Sequence, residues 1–293
     1  SMLEKTEFLI YGVEIDEKSF SLFKNPNTER CSLKNCDFFD IEDKYDGIIM
    51  NPPYVRQEEL NALKLAYMAK EVQSQYKCPD FHKIGKLELI SMLIHAEYTE
   101  TMTARYEARL KKAKLKGCAC SLDKSHDSKE RAYQPMDIVS TLSTLDFIRD
   151  GMNLCIFGPS DCGKTYLAKA IGAEACREFR VAYYHCEELA GELAAQRKAD
   201  YTKYKKKIQS LANLDLVILD DFLLHPITED DEVKVLYDVL ERRNELSRSC
   251  LVCSQREPKS WPAMLMQDEV SSNSMLKRVT KHYSVMIERK LTD

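Results

Sequence analysis

The sequence lacks the features that would place a protein in or across a membrane. None of its apolar runs approaches the roughly 18 consecutive residues that a membrane-spanning helix needs. Its first residues also lack the apolar core of a secretory signal peptide. The 44% apolar and 31% charged residues are ordinary for a globular protein, and we expect a cytoplasmic location and no membrane partner.

An excess of positive charge is also missing. The formal net charge of −4 does not indicate a protein that binds nucleic acid over its whole surface. Basic residues are instead concentrated at 105–116 and at 203–207, where Tyr201 and Tyr204 are interleaved with lysines. Such segments can contact phosphates in an otherwise acidic protein, but a solvated helix face would look the same.

The 11 cysteines lack the spacing of a metal site or of a disulfide framework. Two close pairs occur, and neither is accompanied by a second pair or by histidine at ligand spacing: Cys118 with Cys120, and Cys250 with Cys253. Cys155, like the second pair, lies in an apolar run that is typical of a strand. We therefore expect free, buried thiols in a reducing compartment.

The chain has three regions of different texture. Residues 1–60 alternate short apolar runs with Asp, Asn and Pro, whereas residues 61–135 have a charged, helical pattern and end in a polar stretch that indicates a linker at 121–134. Residues 136–293 alternate apolar runs with helical periodicity, for example at Leu167, Ile171 and Ala175. This alternation predicts an α/β three-layer sandwich with a parallel sheet.

One glycine-rich turn in the third region follows an apolar run and precedes a helical pattern. Residues 158–165 read Gly-Pro-Ser-Asp-Cys-Gly-Lys-Thr and satisfy the P-loop pattern in full. In such a loop backbone amides bind phosphate oxygens, the lysine reaches the β- and γ-phosphates, and the threonine hydroxyl binds Mg²⁺. The predicted ATP-binding residues are Gly158, Pro159, Ser160, Asp161, Cys162, Gly163, Lys164, Thr165 and Tyr166.

Two carboxylates follow the apolar run at 216–219. Asp220, at the end of the predicted strand, is expected to hold Mg²⁺ directly or through water. Asp221 is placed to orient or deprotonate the attacking water. Two acids after a strand can also simply begin a turn.

Two later polar residues complete the candidate catalytic set. Gln255 follows a third apolar strand, where an amide can sense the γ-phosphate or position water, although a plain strand-end cap would also place it there. Arg278 lies on a predicted helix and is a candidate phosphate contact in its own or a neighbouring subunit, with surface solvation as the alternative. Weaker candidates for the same role are Arg242, Arg243 and Arg248.

Residues from about 61 to 289 resemble the IstB-like ATP-binding proteins, which are helper ATPases of insertion-sequence transposition related to the DnaC and DnaI helicase loaders among the AAA+ ATPases. The resemblance is carried by the P-loop at 158–165, Ile-Leu-Asp-Asp-Phe at 218–222, Cys-Ser-Gln at 253–255 with Trp261, and Met-Leu-Lys-Arg-Val at 275–279. Residues 63–68, Ala96-Glu97 and the basic helix at 105–116 are similar to the family's N-terminal helical domain.

The resemblance implies an ATPase that binds ATP and Mg²⁺, oligomerises on DNA and helps a partner transposase to select its target. It assigns Lys164 and Thr165 to nucleotide and magnesium, Gln255 to the sensor position and Arg278 to a late arginine that acts in cis or in trans. Asp221 stands where many AAA+ proteins have Glu, and we expect this shorter carboxylate to slow hydrolysis. The implied organisation is a helical DNA-binding and oligomerisation region at 61–135 and an AAA+ core at 136–293.

Residues 1–60 carry a second resemblance, to amino-group DNA adenine methyltransferases that use S-adenosylmethionine. Tyr-Gly-Val-Glu-Ile-Asp at 11–16 is followed by Asn-Pro-Pro-Tyr at 51–54. The resemblance implies that one acid binds the cofactor ribose, a second lies near its adenine, and the last four residues hold and stack on a flipped base. These residues are Glu14, Asp37, Asn51, Pro52, Pro53 and Tyr54.

The glycine-rich cofactor loop of such methyltransferases is missing, because the ten residues before Tyr11 contain no glycine. Sixty residues also cannot bury a complete core for that fold. We therefore expect a truncated, partial Rossmann-like methyltransferase fragment at 1–60, without methyltransferase activity and without bound S-adenosylmethionine.

Four functions remain to be distinguished. The leading one is a DNA-associated ATPase that assists transposition, and the nearest alternative is a replicative helicase loader, so that the partner is a transposase or a helicase. The other two are a DNA adenine methyltransferase and a nucleotide-dependent binding module with negligible hydrolysis.

Overall fold

The computed structural model describes residues 10–13, 27–28, 31–34, 65–78, 81–126, 131–265 and 269–290. The chain divides into two compact units, residues 1–57 and 58–293. In the first unit, β1 (Ile10–Val13) pairs in parallel with β3 (Cys31–Lys34), and β2 (Asn27–Thr28) pairs antiparallel with β3. The six residues of the methyltransferase interpretation lie outside the described residues: Glu14, Asp37, Asn51, Pro52, Pro53 and Tyr54.

The second unit begins with two packed helices, α1 (Ala66–Tyr76) and α2 (Lys86–Lys112), separated by a 3-10 turn at Phe81–Lys83. The Glu97 carboxylate on α2 accepts a 2.8 Å hydrogen bond from the backbone N–H of Met68 on α1. The chain after α2 buries Ala113 in the core of the following sheet. The carboxyl end of the helical region is therefore part of the same core as the predicted ATPase.

A six-stranded sheet forms the centre of this unit, in the order β4-β9-β5-β8-β7-β6. All neighbours from β9 to β6 are parallel, and only β4 runs antiparallel, at the edge beside β9. The strands are β4 (Arg131–Gln134), β5 (Leu154–Phe157), β6 (Val181–His185), β7 (Leu216–Asp220), β8 (Ser249–Ser254) and β9 (Tyr283–Arg289).

Helices cover both faces of the sheet because alternate residues of each strand are buried on opposite sides. Leu154 and Ile156 of β5 belong to one buried cluster, and Cys155 between them belongs to the other. The connecting helices are α3 (Leu122–His126), α4 (Ile138–Ser143), α5 (Asp146–Arg149), α6 (Lys164–Ala175), α7 (Cys186–Ala199), α8 (Tyr201–Ala212), α9 (Asp230–Glu245) and α10 (Glu269–Thr280), and a 3-10 helix spans Pro258–Met264. The predicted α/β P-loop sandwich is confirmed.

The polar stretch at 121–134 is not the plain linker that its composition indicates. It contains α3, whose Leu122 is buried in the core, and β4, which pairs with β9. The sheet is consequently mixed at this edge rather than wholly parallel. A four-residue edge strand carries too weak a periodicity to be recognised from sequence, since its pairing partner lies about 150 residues later.

The described residues bear on two predictions from the sequence, one about membrane-spanning helices and one about the cysteines. None of the helices described is both long and apolar enough to cross a bilayer. The cysteines described are free thiols, and Cys155, Cys250 and Cys253 are buried as expected. Burial raises the pKa of the Cys155 and Cys186 thiols to about 12, so both stay protonated at neutral pH.

Candidate nucleotide-binding site

The predicted P-loop is a strand–turn–helix between β5 and α6. Gly158, directly after β5, has φ of +152°, and a Cβ there would lie 2.1 Å from the Ile287 carbonyl oxygen on β9. Gly163 caps the amino end of α6 with φ of +97°. Both positions need glycine, since the backbone is left-handed and one of them also approaches a neighbouring strand closely. The amino end of α6 thereby opens onto the loop, as an anion site requires.

Lys164 is the first residue of α6 and is only 6% exposed. Its ammonium donates a 2.6 Å hydrogen bond to the Pro159 carbonyl oxygen and lies 3.8 Å from Cys162 Sγ. The side chain therefore folds back across the loop, which places the charge inside the turn formed by residues 158–163. Thr165 follows it in the first turn of the helix, where a hydroxyl is available to a cation.

The carboxylate of Asp220 is buried at the end of β7, with 1% of the residue exposed. Its Oδ2 accepts a 2.6 Å hydrogen bond from the Tyr183 hydroxyl on β6, and its Oδ1 accepts one from the Asp221 backbone N–H. Burial, with the bond to Asp220 as a second cause, raises the pKa of the Tyr183 phenol far above its ordinary value. The phenol thus remains a permanent donor that fixes the orientation of this carboxylate.

Asp221 turns the chain out of β7 with φ of +52°. One of its carboxylate oxygens lies 3.6 Å from His185 Nδ1, and His185 is the register partner of Asp220 across the parallel pair β6–β7. The possible ligand atoms of these three residues all lie within 4.8 Å of one another. Carboxylate and hydroxyl oxygens suit Mg²⁺, so Asp220 and Thr165 have the right chemistry to hold it.

The end of β8 is tied to the same region through Cys253 and Trp261. The Cys253 carbonyl oxygen accepts a 2.6 Å hydrogen bond from the backbone N–H of Phe222, just after the two aspartates. Trp261 is fully buried, stacks edge-on against Phe222 at 5.0 Å, and donates from Nε1 to Ser254 Oγ. Gln255 follows directly and is exposed, and its role as a sensor stays a prediction.

Arg278 is engaged within its own chain. Its guanidinium makes a 2.8 Å ion pair with Glu241 and lies over the Tyr237 ring, both on α9. Its carbonyl oxygen accepts a hydrogen bond from the side chain of Asn153, which precedes β5, whereas the P-loop follows that strand. The backbone of Arg278 therefore lies at the other end of β5 from the P-loop of its own chain, and its role as a phosphate contact stays a prediction.

The three weaker arginine candidates have structural contacts. Arg243 is fully buried and its guanidinium donates to backbone carbonyls of α8, the following turn and β8, among them Leu211, Leu214 and Ser249. Arg248 pairs with Asp215 at 2.6 Å, and Arg242 pairs with Glu245 at 2.7 Å. Arg243 is excluded as a phosphate contact, because its side chain is fully buried.

The two predicted basic segments meet at one aromatic ring. Lys114, after α2, has its ammonium 4.9 Å from the centre of the Tyr184 ring, and Lys207 on α8 has its ammonium 5.6 Å from the same point. Arg109 does not contribute, because its guanidinium donates to the carbonyl oxygens of Cys176 and Arg177 at the carboxyl end of α6. The surface formed by Lys114, Tyr184 and Lys207 is called the basic surface below.

Three residues of this site are missing from the sequence prediction: Arg131, Tyr183 and His185. Each contacts residues that are distant in sequence. Tyr183 and His185 on β6 contact the carboxylates of Asp220 and Asp221, and Arg131 on the edge strand β4 contacts the P-loop. The only available signal was the position of Tyr183 and His185 at the carboxyl end of a predicted strand, where parallel sheets place their functional residues.

Comparisons with known proteins identify a matching family and several relatives of this chain. Residues 58–290 match the family model "IstB-like ATP binding protein". The chain is 30% identical over 200 residues to "Insertion sequence IS1162 putative ATP-binding protein" of Pseudomonas fluorescens, covering 67% of this chain and 84% of that one. It is 31% identical over 205 residues to "Putative insertion sequence ATP-binding protein y4pL" of Sinorhizobium fredii (strain NBRC 101917 / NGR234), covering 70% and 81%.

Among solved structures, the chain is similar to a crystal structure of DnaI, with 18% sequence identity and a TM-score of 0.49 over 58% of this chain and 92% of that one. The family match spans most of the chain and includes the P-loop, both aspartates, Gln255 and Arg278. The chain therefore belongs to the IstB-like ATP-binding protein family.

Proposed function

We propose that the chain is an ATP-hydrolysing, DNA-associated AAA+ protein that assists insertion-sequence transposition by regulating a partner transposase. The observation that carries the proposal is a P-loop lysine held inside its turn, together with a buried, oriented aspartate at the end of a parallel strand of the same sheet. The relatives named as insertion-sequence proteins support the biological setting. The free thiols of the described residues support a reducing cytoplasm.

Catalysis in this proposal is positional and electrostatic. Backbone amides of the loop and the Lys164 ammonium neutralise charge that develops on the transferred phosphoryl group. Thr165 and Asp220 would hold Mg²⁺, which would supply further positive charge at the phosphate oxygens. Asp221 aligns the attacking water, Gln255 senses the γ-phosphate, and Arg278 of an adjacent subunit completes the site.

We place DNA on the basic surface of Lys114, Tyr184 and Lys207. Two ammonium groups from segments about 90 residues apart converge there on the same aromatic ring. Phosphates are bound by such convergent lysines, and the ring offers an apolar platform beside them. The nearby Lys203 is less available, since it pairs with Asp200 at 3.5 Å.

The exposed apolar surface of α2 supports association with further protein chains. Large apolar side chains are exposed along residues 87–102 of this helix at intervals of three or four residues, and such a stripe is typical of a protein-binding face. Its members are Leu87, Ile90, Ile94, Tyr98 and Met102. We propose that residues 61–135 mediate homo-oligomerisation or partner binding, while 136–293 hold the ATPase core.

A phosphate-release assay tests the enzymatic part of the proposal. Wild type and a Lys164→Ala variant are compared with and without duplex DNA, in the presence of Mg²⁺ and ATP. We expect DNA-stimulated release from wild type and only background from the variant, since the variant lacks the charge inside the loop. Equal release from both proteins would leave a nucleotide-dependent binding module without enzymatic activity.

The partner is tested by affinity capture with purified proteins. The tagged chain is incubated with a candidate transposase from the same cell and, separately, with the replicative helicase of that cell. Retention of the transposase supports the transposition role, whereas retention of the helicase alone supports a helicase loader. Calorimetry with S-adenosylmethionine tests residues 1–60, and micromolar binding would contradict the view of an inactive methyltransferase fragment.

A further inference from the structure

One arginine outside every motif lies directly against the P-loop. Arg131 is the first residue of β4, the antiparallel edge strand beside β9. A Cβ placed on Gly163 would lie 2.7 Å from both Cζ and Nε of Arg131. The guanidinium therefore touches the backbone at the amino end of α6, where a phosphate chain binds.

The positive charges around this position favour the binding of an anion. The amino end of α6 carries the positive end of the helix dipole, and the Lys164 ammonium is buried beside it. A third positive group at the same place is unfavourable in isolation, because like charges repel more strongly near a protein surface than in bulk water. A bound polyphosphate converts this repulsion into attraction, so the arrangement favours an anionic ligand.

Arg131 is held in this position by an aromatic ring. Its Cζ lies 5.1 Å from the centre of the Tyr166 ring. The Tyr166 hydroxyl in turn accepts a 3.2 Å hydrogen bond from the backbone N–H of Ser121. Gly163 and Tyr166 are three residues apart and share one side of the first helical turn, so the guanidinium spans that side.

We propose that Arg131 is a nucleotide-binding residue, which contacts the diphosphate portion common to ATP and ADP. The Lys164 ammonium donates to the carbonyl oxygen of Pro159, near the start of the loop, and takes the β- and γ-phosphates. Arg131 approaches from the side of Gly163 and Tyr166, so the two cations bind different parts of one phosphate chain. The inference rests on the proposed ATP binding, and it adds a residue of the same chain from an edge strand.

Equilibrium binding of ATP and of ADP, measured by calorimetry with Mg²⁺, tests the role of Arg131. We expect Arg131→Ala to weaken both nucleotides by the same factor, roughly tenfold to a hundredfold, the usual cost of losing a hydrogen bond to a charged group. Arg131→Lys keeps the charge but loses the planar fork, and it should restore affinity in part. Arg177→Ala is the matched control, because Arg177 lies over the Tyr106 ring at 5.0 Å and should leave both affinities unchanged.

Each other outcome has a distinct meaning. If wild type and Arg131→Ala bind both nucleotides equally, the role of Arg131 is overturned while the proposed function stands. Tighter nucleotide binding by Arg131→Ala would show that Arg131 blocks the loop. A loss of affinity confined to ATP would place Arg131 at the γ-phosphate. Either result would overturn the proposal. Absence of binding by wild type would remove the proposed function and Arg131 together. Should the alanine variant unfold, the lysine variant decides by the same criteria.

Discussion

At the scale of single residues, the hydrogen bond from Tyr183 to Asp220 makes a specific prediction about Mg²⁺. Tyr183→Phe removes the 2.6 Å donor that orients this buried carboxylate. Loss of such a supporting contact typically weakens metal affinity about 10- to 100-fold, so the Mg²⁺ concentration for half-maximal ATP hydrolysis should rise by at least about tenfold. The measurement is a Mg²⁺ titration at saturating ATP.

Tyr204→Phe is a matched control for that titration. The Tyr204 hydroxyl also donates to a carboxylate, that of Asp238 at 2.5 Å, but it does so between α8 and α9. Its removal should leave the Mg²⁺ requirement unchanged. Equal half-maximal concentrations for Tyr183→Phe and wild type would show that Asp220 needs no support from β6.

The shorter carboxylate at Asp221 predicts slow hydrolysis. Asp221→Glu extends the carboxylate towards the position of the attacking water, and we expect single-turnover phosphate release to accelerate by up to about tenfold. Asp220→Glu is the contrasting variant, because that carboxylate is buried between β6 and β7 and a longer side chain should slow the reaction. A slower Asp221→Glu enzyme would argue against Asp221 as the residue that aligns water.

Sequence alone predicts those site residues whose chemistry depends on local spacing. The positions of Lys164 and Thr165 in the first turn of α6, and of Asp220 at the end of β7, follow from the sequence because a turn and a strand end are built from consecutive residues, and their roles stay predictions. Arg131, Tyr183 and His185 were not found, because their roles depend on which strands become neighbours in the sheet. Arg243 was placed among phosphate contacts only because a sequence does not show that a guanidinium is fully buried.

At the scale of secondary-structure elements, Arg243 is a buried polar connection between α9 and its surroundings. Its guanidinium donates to carbonyl oxygens of Leu211, Leu214, Asp215 and Ser249. Arg243→Met fills much of the same volume but removes these buried hydrogen bonds, so the free energy of unfolding should fall by about 3 kcal/mol or more. Urea denaturation monitored by circular dichroism measures this change.

The neighbouring Arg242 provides the comparison. Its ion pair with Glu245 is exposed, with 44% and 49% of the two side chains accessible. Arg242→Met should therefore change the free energy of unfolding by less than about 1 kcal/mol. Similar stability of the two variants would mean that the contacts of Arg243 contribute little to holding α9 on the sheet.

Element prediction succeeded where burial imposes a pattern on the sequence. The apolar run at 216–219 became the fully buried β7, and Leu167, Ile171 and Ala175 form the buried side of α6. Prediction was wrong for β4 within the expected linker at 121–134, because pairing with β9 rather than any local pattern makes that segment a strand. The separation of 61–135 from the ATPase core was likewise too sharp, since Leu122 and Ala113 are buried in that core.

At the scale of the whole molecule, the basic surface predicts salt-dependent DNA binding despite a net charge of −4. A double variant, Lys114→Gln with Lys207→Gln, should weaken binding to any duplex sequence and reduce the slope of log Kd against log salt by about 2. Fluorescence anisotropy over a salt series measures this slope. Lys198→Gln is the control, because Lys198 pairs with Asp231 at 3.1 Å. A flat salt response of wild type would contradict phosphate contacts altogether.

The P-loop, the basic surface and the exposed apolar stripe of α2 all belong to the second unit of the chain. The proposed function depends on the P-loop at the carboxyl end of β5, because the proposed hydrolysis and the proposed nucleotide contacts of Arg278 and Arg131 all require a nucleotide there. Gly158 and Gly163 give this loop its shape, and Lys164 supplies its charge.

Nucleotide binding at residues 158–165 is tested most directly by a filter assay. It measures how much radiolabelled ATP the purified chain retains with Mg²⁺ present. Wild type should retain ATP in a saturable manner, and Lys164→Ala, with an unchanged melting temperature in the absence of nucleotide, should retain it at least about tenfold less tightly. Equal retention by the two proteins, or no saturable retention by wild type, would contradict a nucleotide site at residues 158–165.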